Sequence, residues 1–193
     1  MSNTEDIDWA SGTSDTQLAL ARCATSDQLR DMVCRYDWRL YPEEVLGWAM
    51  AQKAIDLGSA LTCFLNGDPE RFNYLPKRDV PAKFRGVARL LDNICLRVNS
   101  GFYLCIPKST VAQAKRLENW LTYQQEDRKE NLKGRWILDE RILSSLEPDA
   151  LTLPPDAPAA PKTERCSLLC DVLSPVAGLG VQREYLKYLP TDN

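Results

Sequence analysis

The run from Tyr36 to Asn66, YDWRLYPEEVLGWAMAQKAIDLGSALTCFLN, constrains the fold more than any other part of the chain. It is the densest apolar segment and holds Trp38 and Trp48, two of the five tryptophans. It reads as two helices joined by a short turn. Pro42 fits the first position of a helix, where its missing N–H costs nothing, and Glu43 and Glu44 suit the positive end of the helix dipole. Val45, Leu46, Trp48 and Ala49 then put apolar groups on more than one face, so this helix is expected to be central. Lys53 to Asp56 forms the turn. Asp56 is placed to cap the second helix, LGSALTCFLN, whose Gly58, Ser59 and Ala60 permit close approach of a neighbour. Asn66-Gly67-Asp68-Pro69 ends it.

Further helical patterns surround this pair. Residues 1–13 are polar and acidic, and are expected to be disordered. Ser14 or Asp15 can cap a helix through TQLALARCA, with Leu18, Ala21 and Cys23 inward. Ser26 can cap DQLRDMVCRY, where Leu29, Val33 and Tyr36 recur at helical spacing. Residues 68–81 form an irregular crossing with three prolines. Pro81 opens the longest amphipathic helix, in which Phe84, Val87, Ala88, Leu91, Ile94, Cys95 and Val98 make one stripe and Asn99-Ser100-Gly101 the stop. Phe102–Ile106 is short and apolar, and periodicity does not separate a strand from an extended crossing there. Ser109 can cap a helix to about Gln125, with Val111, Ala114, Leu117, Trp120 and Leu121 inward. The charges of 126–130 read as its solvated end. After Gly134, the residues Trp136, Ile137, Ile142 and Leu146 can face the core. Residues 147–162 are proline-rich and read as a semi-rigid linker. The apolar runs CSLLCDVL and VQREYLKYL come after it.

The expected fold is therefore mainly α. Residues 14–147 form a compact bundle of antiparallel helix pairs, loosely solenoid-like. A linker at 148–162 joins it to a short helical appendage at 163–193 that docks on the body.

With 193 residues, the chain is long enough for one domain with a substantial core. The net charge of −3 lacks the basic excess of a nucleic-acid binder. No run reaches the ~18 apolar residues of a membrane span, and the acidic N-terminus lacks the basic start and apolar stretch of a signal peptide. A cytoplasmic location is expected. Seven cysteines, odd in number and irregular in spacing, read as reduced and mostly buried. There is no histidine at all. That removes the Ser-His-Asp and Cys-His pairs and the His-ligated zinc sites. An enzyme is not expected, and neither is a cofactor. The exception left open is a hydrolase working with paired carboxylates or a lysine base.

Four clusters have chemical potential. Cys166 and Cys170 have CxxxC spacing, but a metal normally needs four ligands and no second pair lies nearby; packing of two thiols on one helix face accounts for them. Glu43 and Glu44, with Asp37 and Asp56, could act in acid/base or cation-binding work, but dipole complementation and capping explain them without chemistry and are the better account. Lys77, Arg78, Lys83, Arg85, Arg89 and Arg97 form a basic region diluted by Asp79 and Asp92, which reads as a solvated face. Trp38, with Tyr36, Arg39 and Tyr41, is an aromatic and basic cluster that fits a binding hot spot or a buried corner.

From Tyr36-Asp37-Trp38 onward the chain resembles a family of small bacterial domains of unknown function. The family pattern is a Tyr-Asn-Trp-Asp-like motif, a Pro-led helix, and a Cys/Asp-Leu-Gly-Thr-Ala-Leu segment ending in an aromatic. The residues that fall on this pattern are Tyr36, Asp37, Trp38, Pro42, Val45, Leu46, Asp56, Leu57, Gly58, Ser59, Ala60, Leu61 and Phe64, within residues 25–75. Asp37 stands where the family has Asn, and Arg39 where it has an acid. The resemblance implies an immunity protein that binds a cognate secreted toxin, with no catalytic residues. Asp37, Trp38, Glu43, Glu44 and Asp56 are the expected partner contacts. A helical adaptor or chaperone for a secreted effector is the alternative. Neither a metal, a nucleic acid nor a membrane is expected as a partner, and the oligomeric state is open.

Overall fold

The computed structural model describes residues 8–106, 111–144 and 146. Its elements, in chain order, are α1 (Ser14–Cys23), α2 (Ser26–Arg35), a π-helical turn (Pro42–Leu46) running into α3 (Gly47–Ala49), and α4 (Leu57–Asn66). Three 3₁₀ turns come next, at Pro69–Phe72, Lys77–Asp79 and Ala82–Phe84. Then come α5 (Arg85–Asn99), α6 (Ala114–Lys129) and α7 (Glu140–Leu143). The described part is mainly helical, as the sequence pattern requires, and contains no strand; its only β feature is an isolated bridge between Asp56 and Leu104.

Helix α4 is the axis of the molecule. It has no charged residue, and every position from Leu57 to Leu65 is buried. Its two hydroxyls are satisfied internally. Ser59 Oγ donates to Asp56 Oδ2 (2.9 Å), and Thr62 Oγ1 donates to the Gly58 carbonyl (2.9 Å). The small residues at its start allow α2 to pack on one side, while α5 and α6 take others. Phe64 meets Trp120 of α6 and Trp136 edge-on, at ring distances of 5.7 and 6.2 Å, a favoured aromatic geometry.

The first two helices begin at Ser14 and Ser26, residues expected as caps, so the caps themselves lie one residue earlier. Thr13 caps α1, and Thr25 caps α2 through a capping box with Gln28. Gln17, not Leu18, is the fully buried residue of α1 beside Ala21, and Cys23 is exposed. Residues 8–13 are also placed: Trp9 packs against the core. The Pro42-led helix is broken into a π turn and a single α turn. This arrangement buries Pro42, Val45, Leu46, Ala49 and Met50 together. Helix α5 keeps to its expected stripe, with Ala88, Leu91, Ile94, Cys95 and Val98 buried. It closes with Gly101 at φ +68°, the Phe102 N–H donating to the Arg97 carbonyl (3.0 Å) and the Gly101 N–H to that of Val98 (3.0 Å). This is the doubly hydrogen-bonded glycine stop that the sequence signals.

Phe102–Ile106 is an extended crossing rather than a strand in a sheet. Its one backbone link to α4 is the Leu57 N–H donating to the Leu104 carbonyl (2.9 Å). The proposed Ser109 cap lies outside the described residues, and α6 starts at Ala114. The charged end of α6 is not wholly solvated: Asp127 is only 5% exposed and accepts the Tyr74 hydroxyl (2.9 Å).

Residues 132–139 cross the body in extended form. Side-chain amides hold this crossing. Gln124 donates to the Leu138 carbonyl and accepts from the Leu138 N–H, both at 2.8 Å. Asn99 bridges the Ile137 carbonyl (2.7 Å) and the Asp139 N–H (2.9 Å). Asn73 Oδ1 accepts from the Trp136 N–H (3.0 Å). Arg135 adds a two-pronged pair to Asp92 at 2.9 Å. The linker and appendage expected after residue 147 lie outside the described residues.

Candidate partner-binding face

Tyr36 closes the end of α2 and anchors the turn beyond it. Its ring is buried, and its hydroxyl donates to Gln17 Oε1 (2.6 Å) while accepting the Tyr41 N–H (3.3 Å). Residues 37–40 are thereby held as a tight turn, closed by the Leu40 N–H donating to the Asp37 carbonyl (3.1 Å). Asp37 Oδ1 accepts the Arg39 N–H (2.9 Å), a local bond typical of aspartate in turns. The Arg39 guanidinium also grips that carboxylate, at 2.9–3.2 Å, and these bonds hold Asp37 below the usual carboxylate range. Arg39 is 89% exposed. Desolvation raises the Tyr36 phenol, so it stays neutral as both donor and acceptor.

Trp38 turns the other way and packs against the core. Its ring lies over Gly67, where an added Cβ would come within 2.6 Å of the indole and 2.8 Å of Leu91. The indole Nε1 is buried with no hydrogen-bond partner. Glu43 stretches across the first turn of α5: a Cβ on Gly86 would fall 1.5 Å from its carboxylate, and Arg89 reaches it at 3.5 Å. Glu44 is exposed beside it. Asp56 does not belong to this surface. It is 3% exposed, accepts the Ser59 N–H (3.0 Å) as the cap of α4, and pairs with Arg30 at 3.6 Å. Its expected role as a partner contact is therefore corrected: a carboxylate committed to a helix end and a half-buried arginine is structural.

An open hollow of about 210 Å³ adjoins Asp37, lined by Asp8, Trp9, Ala10, Arg35, Tyr36, Asp37 and Leu40. Sequence reasoning missed Trp9 and Leu40. The one available signal was an isolated Trp-Ala pair in an otherwise polar N-terminus. The carboxylates on this face do not converge as an acid/base pair: Asp37 is held by Arg39, and Glu43 lies over α5 with Arg89. What the face offers is charge and aromatic surface around a concavity.

The basic region disperses in three dimensions. Lys77 reaches Asp92 at 3.8 Å, Arg78 reaches Asp79 at 3.5 Å, and Arg85 donates to the Val80 carbonyl at 3.2 Å. Lys83 lies over Phe84 and Arg97 against Phe102. Among the described residues no group of three or more potential ligands is placed to hold a metal, and no helix is long and apolar enough to cross a membrane. Cys166 and Cys170 lie outside those residues. No family model, curated protein or solved structure matches this chain.

Proposed function

We propose that this is a cytoplasmic immunity protein, one that binds a cognate secreted antibacterial toxin and covers its active site or blocks a motion it needs. The face formed by Asp37, Glu43 and Glu44 carries the reading, with Trp38, expected as a contact, turned into the core behind it. Exposed ion pairs such as Asp37–Arg39 and Glu43–Arg89 are individually worth only ~0–1 kcal/mol, so a partner's cations can take over these carboxylates at little cost. The hollow beside Asp37 receives a side chain from the partner, next to the Tyr36 and Trp9 rings. A complex of ordinary size buries ~1,600 Å² in total, and only part of that area carries the affinity. A toxin that acts on nucleic acid presents a basic groove, which complements these acids and speeds association.

The test is co-expression with the protein encoded by the adjacent gene, scoring growth and co-purification together. Rescue of growth with a stable complex is the expected result. Asp37→Lys and Glu44→Lys then weaken the complex, while Asp56→Asn acts through stability alone. A complex without rescue replaces this reading with an adaptor or chaperone. Absence of both binding and toxicity overturns it.

A further inference from the structure

A second hollow, of about 650 Å³, runs along the 132–139 crossing. Three helices and the crossing build it. Helix α5 contributes Leu96, the end of α6 Arg128, the crossing Lys133, Arg135 and Ile137, and α7 Arg141. Its size falls in the ~300–1,000 Å³ range of small-molecule sites.

Charge is the first constraint on an occupant. Asp92 and Asp139 also line the hollow, and both are committed. Asp92 accepts both prongs of Arg135 and the Trp136 indole N–H, each at 2.9 Å. Asp139 caps α7 by accepting the Arg141 N–H (2.9 Å). Arg128 is paired with Glu140 at 2.9 Å. Lys133 and the Arg141 side chain are exposed, and no carboxylate among the described residues forms an ion pair with either. Arg135 adds a spare donor. Its side chain is 12% exposed, and its Nη1 is buried with no hydrogen-bond partner. A buried guanidinium N–H without an acceptor marks a place where a further oxygen belongs.

The second constraint is apolar. Leu96 is 68% exposed, and Ile137 lies half-buried in the same wall. A hydrated inorganic ion gains nothing from such a wall, whereas an organic body does.

We propose that this hollow binds a small phosphomonoester, with its dianionic head held by Lys133 and Arg141 and its apolar body against Leu96 and Ile137. A doubly charged head matches two unpaired cations through charge-assisted hydrogen bonds, and a carboxylate neutralises only one of them. The inference does not depend on which protein meets the Asp37–Glu44 face.

The probe is phenyl phosphate, titrated into the isotope-labelled full-length protein at neutral pH and constant ionic strength. The readout is the indole N–H resonance of Trp136, whose ring lines the hollow and is tied to Asp92. The expected result is a saturable shift of that resonance. Phenyl phosphate binds several-fold more tightly than inorganic phosphate, which lacks the apolar body, or benzoate, which carries one charge. Binding weakens as pH falls through the second phosphate ionisation, near ~6. Lys133→Ala and Arg141→Ala each weaken it about tenfold. Leu96→Ser removes the advantage over inorganic phosphate, and Arg39→Ala, on the other face, changes nothing. All four side chains are exposed, so the spectrum of each free variant shows that folding is intact. Four results overturn the proposal: a shift that does not saturate, equal affinity for inorganic phosphate or benzoate, binding insensitive to Lys133→Ala and Arg141→Ala, or a loss on Arg39→Ala as large as theirs.

Discussion

Single residues divide this protein into a part that holds the fold and a part that faces outward, and the two carboxylates Asp37 and Asp56 show the division. Asp56→Ala removes the cap of α4 and leaves Arg30 without its buried acid, and should cost about 3 kcal/mol in chemical denaturation. Asp37→Ala breaks an exposed pair within one turn, and should change stability by no more than about 0.5 kcal/mol. In the sequence Asp56 was legible as the cap of α4, but its burial was not, so both aspartates were expected as partner contacts. Burial separates them, and burial comes from packing. Gly67 is a second case. A methyl there would strike the Trp38 ring and Leu91, so Gly67→Ala should destabilise by about 1–3 kcal/mol and change Trp38 fluorescence.

At the level of elements, legibility tracked local chemistry. Helix α5 was readable from its stripe and its Gly101 stop, and α4 from Asp56 and the glycine after its last residue. The 132–139 crossing was not readable. An extended segment is normally recognised by alternation against a partner strand, and this one is held by Asn73, Asn99 and Gln124, which lie 14 to 63 residues from their backbone partners. No local pattern encodes such bonds. Gln124→Leu keeps the volume and leaves the N–H and C=O of buried Leu138 unpaired. It should cost about 2–4 kcal/mol, read from the urea midpoint. The candidate face was half legible for the same reason. The turn at Asp37–Leu40 and the acids after Pro42 are local features, but the hollow needs Trp9, brought from a segment expected to be disordered.

For the molecule as a whole, the buried titratable groups set an alkaline limit. Burial raises the thiols of Cys34, Cys63 and Cys95, Cys95 to about 11, and raises the Tyr103 phenol. Each of these groups is neutral in the fold and ionises more readily once unfolded. Their contribution is therefore fully present below the ordinary thiol range, near pH 8.5, and is lost as pH rises toward 11. Unfolding midpoints measured from pH 7 to 10.5 should be level at first and then fall. Cys95→Ala should flatten the fall by up to about 1.4 kcal/mol per pH unit. The axis of the molecule has a consequence of another kind. A helix packed on every side has no position where drift is silent. In a saturation mutational scan, tolerated substitutions should reach their minimum across Leu57–Leu65, while Asp37, Glu43 and Glu44 accept many. Over evolutionary time the two regions would then part company: α4 would keep the ancestry legible while the exposed positions drift.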